Sequence, residues 1–137
     1  MTVITRKAEY AVISMVELAS LEEGESTTTK KIAETQEIPL NLVVQILAEL
    51  NKAGWTNSHR GPSGGVSLAI DPSSITLKDV IELFDGPVTI TRCLMQDAPC
   101  KNRKSCGLRN IWKQAQQNML ETLDNTTIAD LAKELIK

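Results

Sequence analysis

Residues 55–70 read Trp55-Thr-Asn-Ser-His-Arg-Gly-Pro-Ser-Gly-Gly-Val-Ser-Leu-Ala-Ile70. Two strand-like segments, Trp55–Ser58 and Val66–Ile70, flank a glycine-rich connection from His59 to Gly65, which is the pattern of a β-hairpin. The connection lacks the Lys-Ser/Thr ending of a phosphate loop and opens into a strand, not a helix, so it is not one.

Upstream of this hairpin the apolar residues keep helical spacing. Ala8, Val12, Met15/Val16 and Ala19 predict a helix from residue 6 to about 21. Ser26-Thr-Thr-Thr29 offers N-cap side chains for a short helix through about Gln36. Val43, Ile46/Leu47 and Leu50 mark a third helix after Pro39, closed by Ala53-Gly54. Downstream, Thr76-Leu-Lys-Asp79 is a capping box that opens a helix to about Phe84, stopped by Asp85-Gly-Pro87. Residues 90–106 show no periodicity and are expected to be loop. Leu108, Ile111/Trp112, Ala115, Met119 and Leu123 give a long helix with a seam near period 3.5, as partner helices show. Thr127-Ile-Ala-Asp130 is a second capping box before a final helix carrying Ile128, Leu131 and Leu135.

Three helices followed by a two-stranded hairpin is the order of a winged helix-turn-helix. The expected fold is mainly α with a small β-hairpin wing, followed by a long C-terminal dimerisation helix. The expected organisation is a DNA-binding region over 1–85, a cysteine segment over 86–106 and a dimerisation and C-terminal helix region over 107–137, in one compact chain. This geometry sends the third helix into the major groove, where Asn41 and Gln45 near its start can each pair bidentately with adenine. Arg60, beside His59 and Ser63 on the wing, reaches towards backbone phosphate or the minor groove. Thr29 and Lys30, at the start of the second helix, are candidate phosphate contacts.

Composition limits the alternatives. The chain has 137 residues, 42% hydrophobic and 23% charged, the composition of one ordinary globular domain. It has two Trp, one Tyr and one Phe, too few for the stacking platforms of a single-stranded nucleic-acid binder. No apolar run approaches the roughly 20 residues of a membrane span, and the start has no signal-peptide character. Three cysteines fit a disulfide framework poorly and a reducing cytoplasm better. The net charge of −2 is unevenly spread: residues 1–85 hold seven basic against twelve acidic side chains, and residues 86–137 eight against five. The acidic N-terminal half counts against strong non-specific DNA affinity.

Cys93, Cys100 and Cys106 lie within a basic stretch that includes Arg92, Lys101, Arg103, Lys104 and Arg109. Nearby positive charge lowers thiol pKa and favours the thiolate, the form that ligates metal or reacts. The spacing Cys-x6-Cys-x5-Cys is looser than a zinc ribbon, with no fourth cysteine or nearby histidine. Spacing alone leaves a metal or cluster site, a thiol redox switch and unligated cysteines open. A cysteine enzyme fits worst, because His59 is the only histidine and belongs to the wing.

The chain resembles the IscR/NsrR-type (Rrf-two) winged-helix regulators of bacteria over nearly its whole length. The resemblance runs through Glu9-Tyr-Ala11, Ile38-Pro-Leu40, Gln45-Ile-Leu47, Lys52-Ala-Gly54 and Ser58-x-Arg60-Gly61. It continues through Gly64-Gly65, Leu68-Ala69, Ile75-Thr76, Asp79-Val80, the three cysteines, Leu108, Trp112 and Thr127-Ile-Ala-Asp-Leu131. It implies a homodimer whose long helix (about 107–123) crosses its partner, and an iron–sulfur cluster, 2Fe-2S or 4Fe-4S, on Cys93, Cys100 and Cys106. It also implies binding to double-stranded DNA that depends on cluster state, in answer to cluster supply, iron, redox state or nitric oxide. Some members lack a cluster.

Members that control cluster biogenesis carry histidine three residues after the third cysteine. Arg109 stands there in this chain, and a guanidinium has no lone pair to offer a metal. Nitric-oxide-sensing members use a carboxylate from the first helix of the other subunit, and Glu9 occupies that position. The expected function is a cytoplasmic, dimeric transcriptional regulator without enzymatic activity, membrane association or small-molecule substrate. The alternative is a cluster-free thiol- or zinc-dependent redox regulator or protein-interaction module.

Overall fold

A computed structural model describes residues 4–59, 65–91, 94 and 107–135. Six helices and one hairpin appear in the order α1 (Arg6–Ala19), α2 (Thr29–Gln36), α3 (Leu40–Lys52), β1 (Thr56–His59), β2 (Gly65–Leu68), α4 (Leu77–Asp85), α5 (Gly107–Asp124) and α6 (Ile128–Leu135), with a 3-10 turn at Pro72–Ser74. The expected architecture, mainly helical with a two-stranded antiparallel hairpin, is the one observed.

Local chemistry sets the helix limits. Thr5 caps α1 by accepting the Ala8 N–H at 3.2 Å, and Thr28 caps α2 by accepting the Lys31 N–H at 3.0 Å. α1 stops at Ala19, short of the expected residue 21, where Ser20 caps it. Between α2 and α3, Glu37 adopts a left-handed conformation (φ 55) and the Ile38 N–H returns to Ala33 O at 3.0 Å, which makes the tight turn. Pro39 stands at the N-cap of α3, one residue ahead of the first turn.

Both strands differ from the sequence reading: β1 begins one residue later, and β2 begins one residue earlier and ends two earlier. Gly54 has φ +82, and the Trp55 N–H donates to Leu50 O at 3.0 Å, closing the end of α3, while the Trp55 carbonyl accepts the Ala69 N–H at 2.9 Å and leads into the hairpin. Pairing runs Thr56 to Leu68 and His59 to Gly65. A third piece of backbone joins it, because Thr27 bridges Val66 in both directions at 3.0 and 2.6 Å. A Cβ on Gly65 would sit 2.6 Å from Thr27 O, so only glycine permits this approach.

The core lies where α1, α2, α3, α4, β2 and α6 converge. Met15, Ile32, Val43, Ile46, Leu50, Val80 and Ile128 are completely buried there, each such side chain stabilising by roughly 1.5–3 kcal/mol. α6 folds back against α1. Its approach is fixed by a seam in which the Leu77 N–H donates to Thr126 O at 2.8 Å and the Ile128 N–H to Ile75 O at 2.9 Å. Both predicted capping boxes form at this seam: Thr76 with Asp79, and Thr127 with Asp130, where both bonds are 3.0 Å.

α5 is the exception. It packs along α4, but none of its residues is buried, and Leu108 and Ile111 are each 59% exposed. The expected seam, Leu108, Ile111/Trp112, Ala115, Met119 and Leu123, is exposed or half-buried along its whole length.

Candidate nucleic-acid interface and cysteine segment

α3 divides cleanly into two faces. Val43, Ile46, Leu47 and Leu50 point into the core, while Asn41, Gln45, Ala48, Glu49 and Lys52 are exposed. Asn41 and Gln45 therefore project into solvent one turn apart. α2 packs against α3, and its first residues are Thr29, half-buried, and Lys30, exposed.

The hairpin is locked to the end of α3 by one side chain. Asn51 Oδ1 accepts the Thr56 hydroxyl, and its Nδ2 donates to Ser58 Oγ at 2.9 Å. Asn51 thus sets the angle between α3 and the wing. Its role was not singled out in the sequence, although a polar residue five positions before a strand-like segment is a signal that was there. His59 ends β1 and is exposed. Arg60 and Ser63 lie outside the described residues.

Asp85 terminates α4 and clasps the start of α1. The Thr5 N–H donates to Asp85 Oδ2 at 3.0 Å, and the Thr5 hydroxyl donates to Asp85 Oδ1 at 2.6 Å. Glu9, exposed in the first turn of α1, is consequently tied to the point where the chain leaves α4 for the cysteines. Cys93, Cys100 and Cys106 lie outside the described residues. Among the described residues no group of three or more His, Cys, Asp or Glu side chains could hold a metal ion.

The described approaches to the cysteine segment rest on α5. Val88 is buried, the Ile90 N–H donates to Gln116 Oε1 at 2.9 Å, and Gly107 begins α5 on the far side. Arg109 is half-buried in the first turn of α5, and its Nε is buried without a hydrogen-bond partner among the described residues. Among the described residues no helix is long and apolar enough to cross a membrane.

Residues 4–134 match the model of the Rrf2 family, described as iron-dependent transcriptional regulators. A Mycobacterium tuberculosis (strain H37Rv) protein named as an HTH-type transcriptional regulator is 35% identical over 130 residues, covering 94% of this chain and 80% of its own. The HTH-type transcriptional regulator CymR of Bacillus subtilis is 33% identical over 129 residues, covering 94% and 88%. The solved structure of CymR, the global cysteine regulator of B. subtilis, superposes with a TM-score of 0.82 at 31% identity over 98% of both chains. The structure of T. potens IscR superposes with a TM-score of 0.77 at 28% identity over 96% of this chain and 87% of that one. These relatives are regulators of transcription, not enzymes, and share the winged-helix architecture described above. The chain belongs to the Rrf2 family of transcriptional regulators.

Proposed function

We propose that the chain is a homodimer that binds double-stranded DNA and whose operator affinity follows the state of an iron–sulfur cluster held by Cys93, Cys100 and Cys106. The carrying observation is that the cysteine segment is attached to α5 on both sides, through Ile90 on Gln116 and through Gly107. A change in the segment therefore acts on the helix that displays the exposed apolar side chains Leu108 and Ile111.

The donor set fits the group. Three thiolates are the ligands iron–sulfur clusters take, and the exposed carboxylate of the partner subunit's Glu9 is a fourth. Arg109 cannot ligate, but its fixed positive charge near the cysteines favours their thiolate form. When bound, the cluster supplies chemistry that responds to oxidation and to small gaseous ligands. The chain's part is to convert ordering of the cysteine segment into a shift of α5, and so into the separation of the two α3 helices. A winged-helix dimer reads half-sites about one helical turn apart, so that separation decides fit.

In this reading residues 1–85 form the DNA-reading unit, 86–106 the sensor and 107–137 the dimer contact. Asn41 and Gln45 address base edges. Thr29 and Lys30 hold backbone phosphate, and Arg60 and Ser63 on the wing address backbone phosphate or the minor groove. Lys30→Ala should weaken binding to all sequences alike and lower the salt slope by about one.

The test is anaerobic purification, followed by absorption spectroscopy, iron and sulfide assays, and duplex binding with and without metal. Iron and sulfide near equimolar, lost together in Cys→Ser variants and linked to a change in operator affinity, supports the reading. A colourless protein that refuses reconstitution overturns the cluster. A second reading is favoured by the close superposition on the B. subtilis cysteine regulator: the same segment responds through its thiols alone. Duplex affinity that changes with a thiol oxidant in iron-free protein would select it. Binding that ignores salt would point instead to a protein-interaction module, since phosphate contacts weaken steeply with salt.

A further inference from the structure

We infer that Leu40 and Val44 are base-reading residues, an apolar strip that packs on thymine methyl groups so that α3 reads A·T pairs. This rests on the DNA-binding reading of α3 and deepens it.

Leu40 is 48% and Val44 53% exposed, although the same helix buries Val43, Ile46, Leu47 and Leu50. A single exposed aliphatic residue is ordinary. Two of them one turn apart, at i and i+4, form a continuous strip. Asn41 and Gln45 form a second i, i+4 strip about a quarter turn round the helix. An apolar strip and an amide strip therefore lie side by side at the start of α3, both exposed.

The two strips match the two halves of one base-pair edge. In the major groove adenine offers an N7 acceptor and an N6 donor, which suit an amide, and thymine offers a methyl group, which suits an aliphatic side chain. A G·C pair has no methyl and is gripped at guanine O6 and N7 by Arg or Lys. From Leu40 to Leu47, α3 carries no charged side chain at all, and the first is Glu49. Exposed leucine and valine cost nothing further in water once the groove covers them, and each buried methyl favours the complex.

The full-length protein, both as isolated and after iron chelation, is incubated with a pool of duplexes randomised at the centre, and the retained duplexes are sequenced. Thymines in the retained core are then replaced singly by uracil, which removes only the methyl. The expected result is enrichment of A·T pairs, with at least one uracil replacement weakening binding about fourfold, the worth of one buried methyl. The same replacement should cost Val44→Ser or Leu40→Ser nothing, while Asn41→Ala keeps the fourfold penalty. Both serine variants alter exposed side chains, and circular dichroism verifies that they fold.

A core of G·C pairs overturns the proposal, as does a uracil penalty that is absent from the parent or persists unchanged in both serine variants. Retention of no duplex in either state overturns the DNA-binding reading itself, an outcome distinct from retention of the wrong bases.

Discussion

α3 and α5 both carry exposed aliphatic residues, yet they stand in opposite relations to the rest of the chain. α3 has a fully buried face of four aliphatic side chains, so its exposed Leu40 and Val44 are displayed by a helix the core already holds. α5 is longer and buries nothing. Its exposed Leu108 and Ile111 belong to a helix that packs along α4 and accepts the Ile90 N–H on Gln116. The comparison separates two kinds of exposure: α3 shows aliphatic residues from a helix anchored in the core, while α5 shows them from a helix with no fully buried residue.

The comparison breaks most readily in the core. Ile46→Ala should destabilise the fold by about 2–5 kcal/mol, read as a shifted urea midpoint, because Ile46 is completely buried. A loss under about 1 kcal/mol would mean that α3 is not held as described. Replacing both Leu108 and Ile111 by aspartate should do the reverse. The thermal transition of the isolated subunit should be retained, sedimentation should show a monomer, and duplex binding should fall on the order of a hundredfold as two linked half-site contacts become one. A variant that stays dimeric would remove α5 as the contact.

Smaller effects probe the links between the regions. Thr5→Ala deletes the α1 cap and the hydroxyl hydrogen bond to Asp85, leaving the backbone N–H bond in place, and should cost about 1–2 kcal/mol in chemical denaturation. The parent value would show the clasp to be dispensable. The smallest effect concerns Glu17, whose Oε2 is buried without a partner among the described residues. Burial pushes its carboxyl above the usual range, opposed by the Gln36 side chain and the charge of Lys31. A raised folded-state value means that the fold favours the protonated form, so this contribution is full in acid and is lost as pH rises through the folded value. Glu17→Gln should therefore melt higher than the parent at about pH 7, with the difference closing near pH 4. Asp130, held low chiefly by the Thr127 backbone N–H and then by its hydroxyl, works in the opposite direction: its contribution is present at neutral pH and lost as pH falls through the carboxylate range.

Much of this was legible in the sequence because it is local. Helical periodicity placed α1, α3 and α5, N-cap side chains placed α2, the capping boxes Thr76-x-x-Asp79 and Thr127-x-x-Asp130 opened α4 and α6, and the glycine-rich stretch after residue 59 announced the hairpin. The exposed positions of Asn41 and Gln45 followed from the apolar stripe through Val43, Ile46/Leu47 and Leu50. What escaped is non-local. The Thr5–Asp85 clasp joins residues 80 apart, and the Thr27–Val66 bridge has no periodic signal to precede it. The later start of β1 goes with the left-handed Gly54, which turns the Trp55 N–H back to the helix end and leaves only its carbonyl, accepting from Ala69, for the hairpin. The exposure of Leu40 and Val44 was present in the helical phase, but hydrophobic residues near a helix start read more naturally as core.

The seam between Ile75–Leu77 and Thr126–Ile128 also has a kinetic meaning. It brings together two points of the chain that bracket α4, the cysteine segment and α5, so the whole stretch 77–126 is a loop closed at one place. The elements up to β2 meet within the first 68 residues and can assemble before the seam closes. Docking of α6 on α1 must wait for the large loop to close, and long-range closure is what slows folding. During synthesis α1, α2, α3 and the hairpin therefore emerge before α6, whose docking on α1 closes the seam.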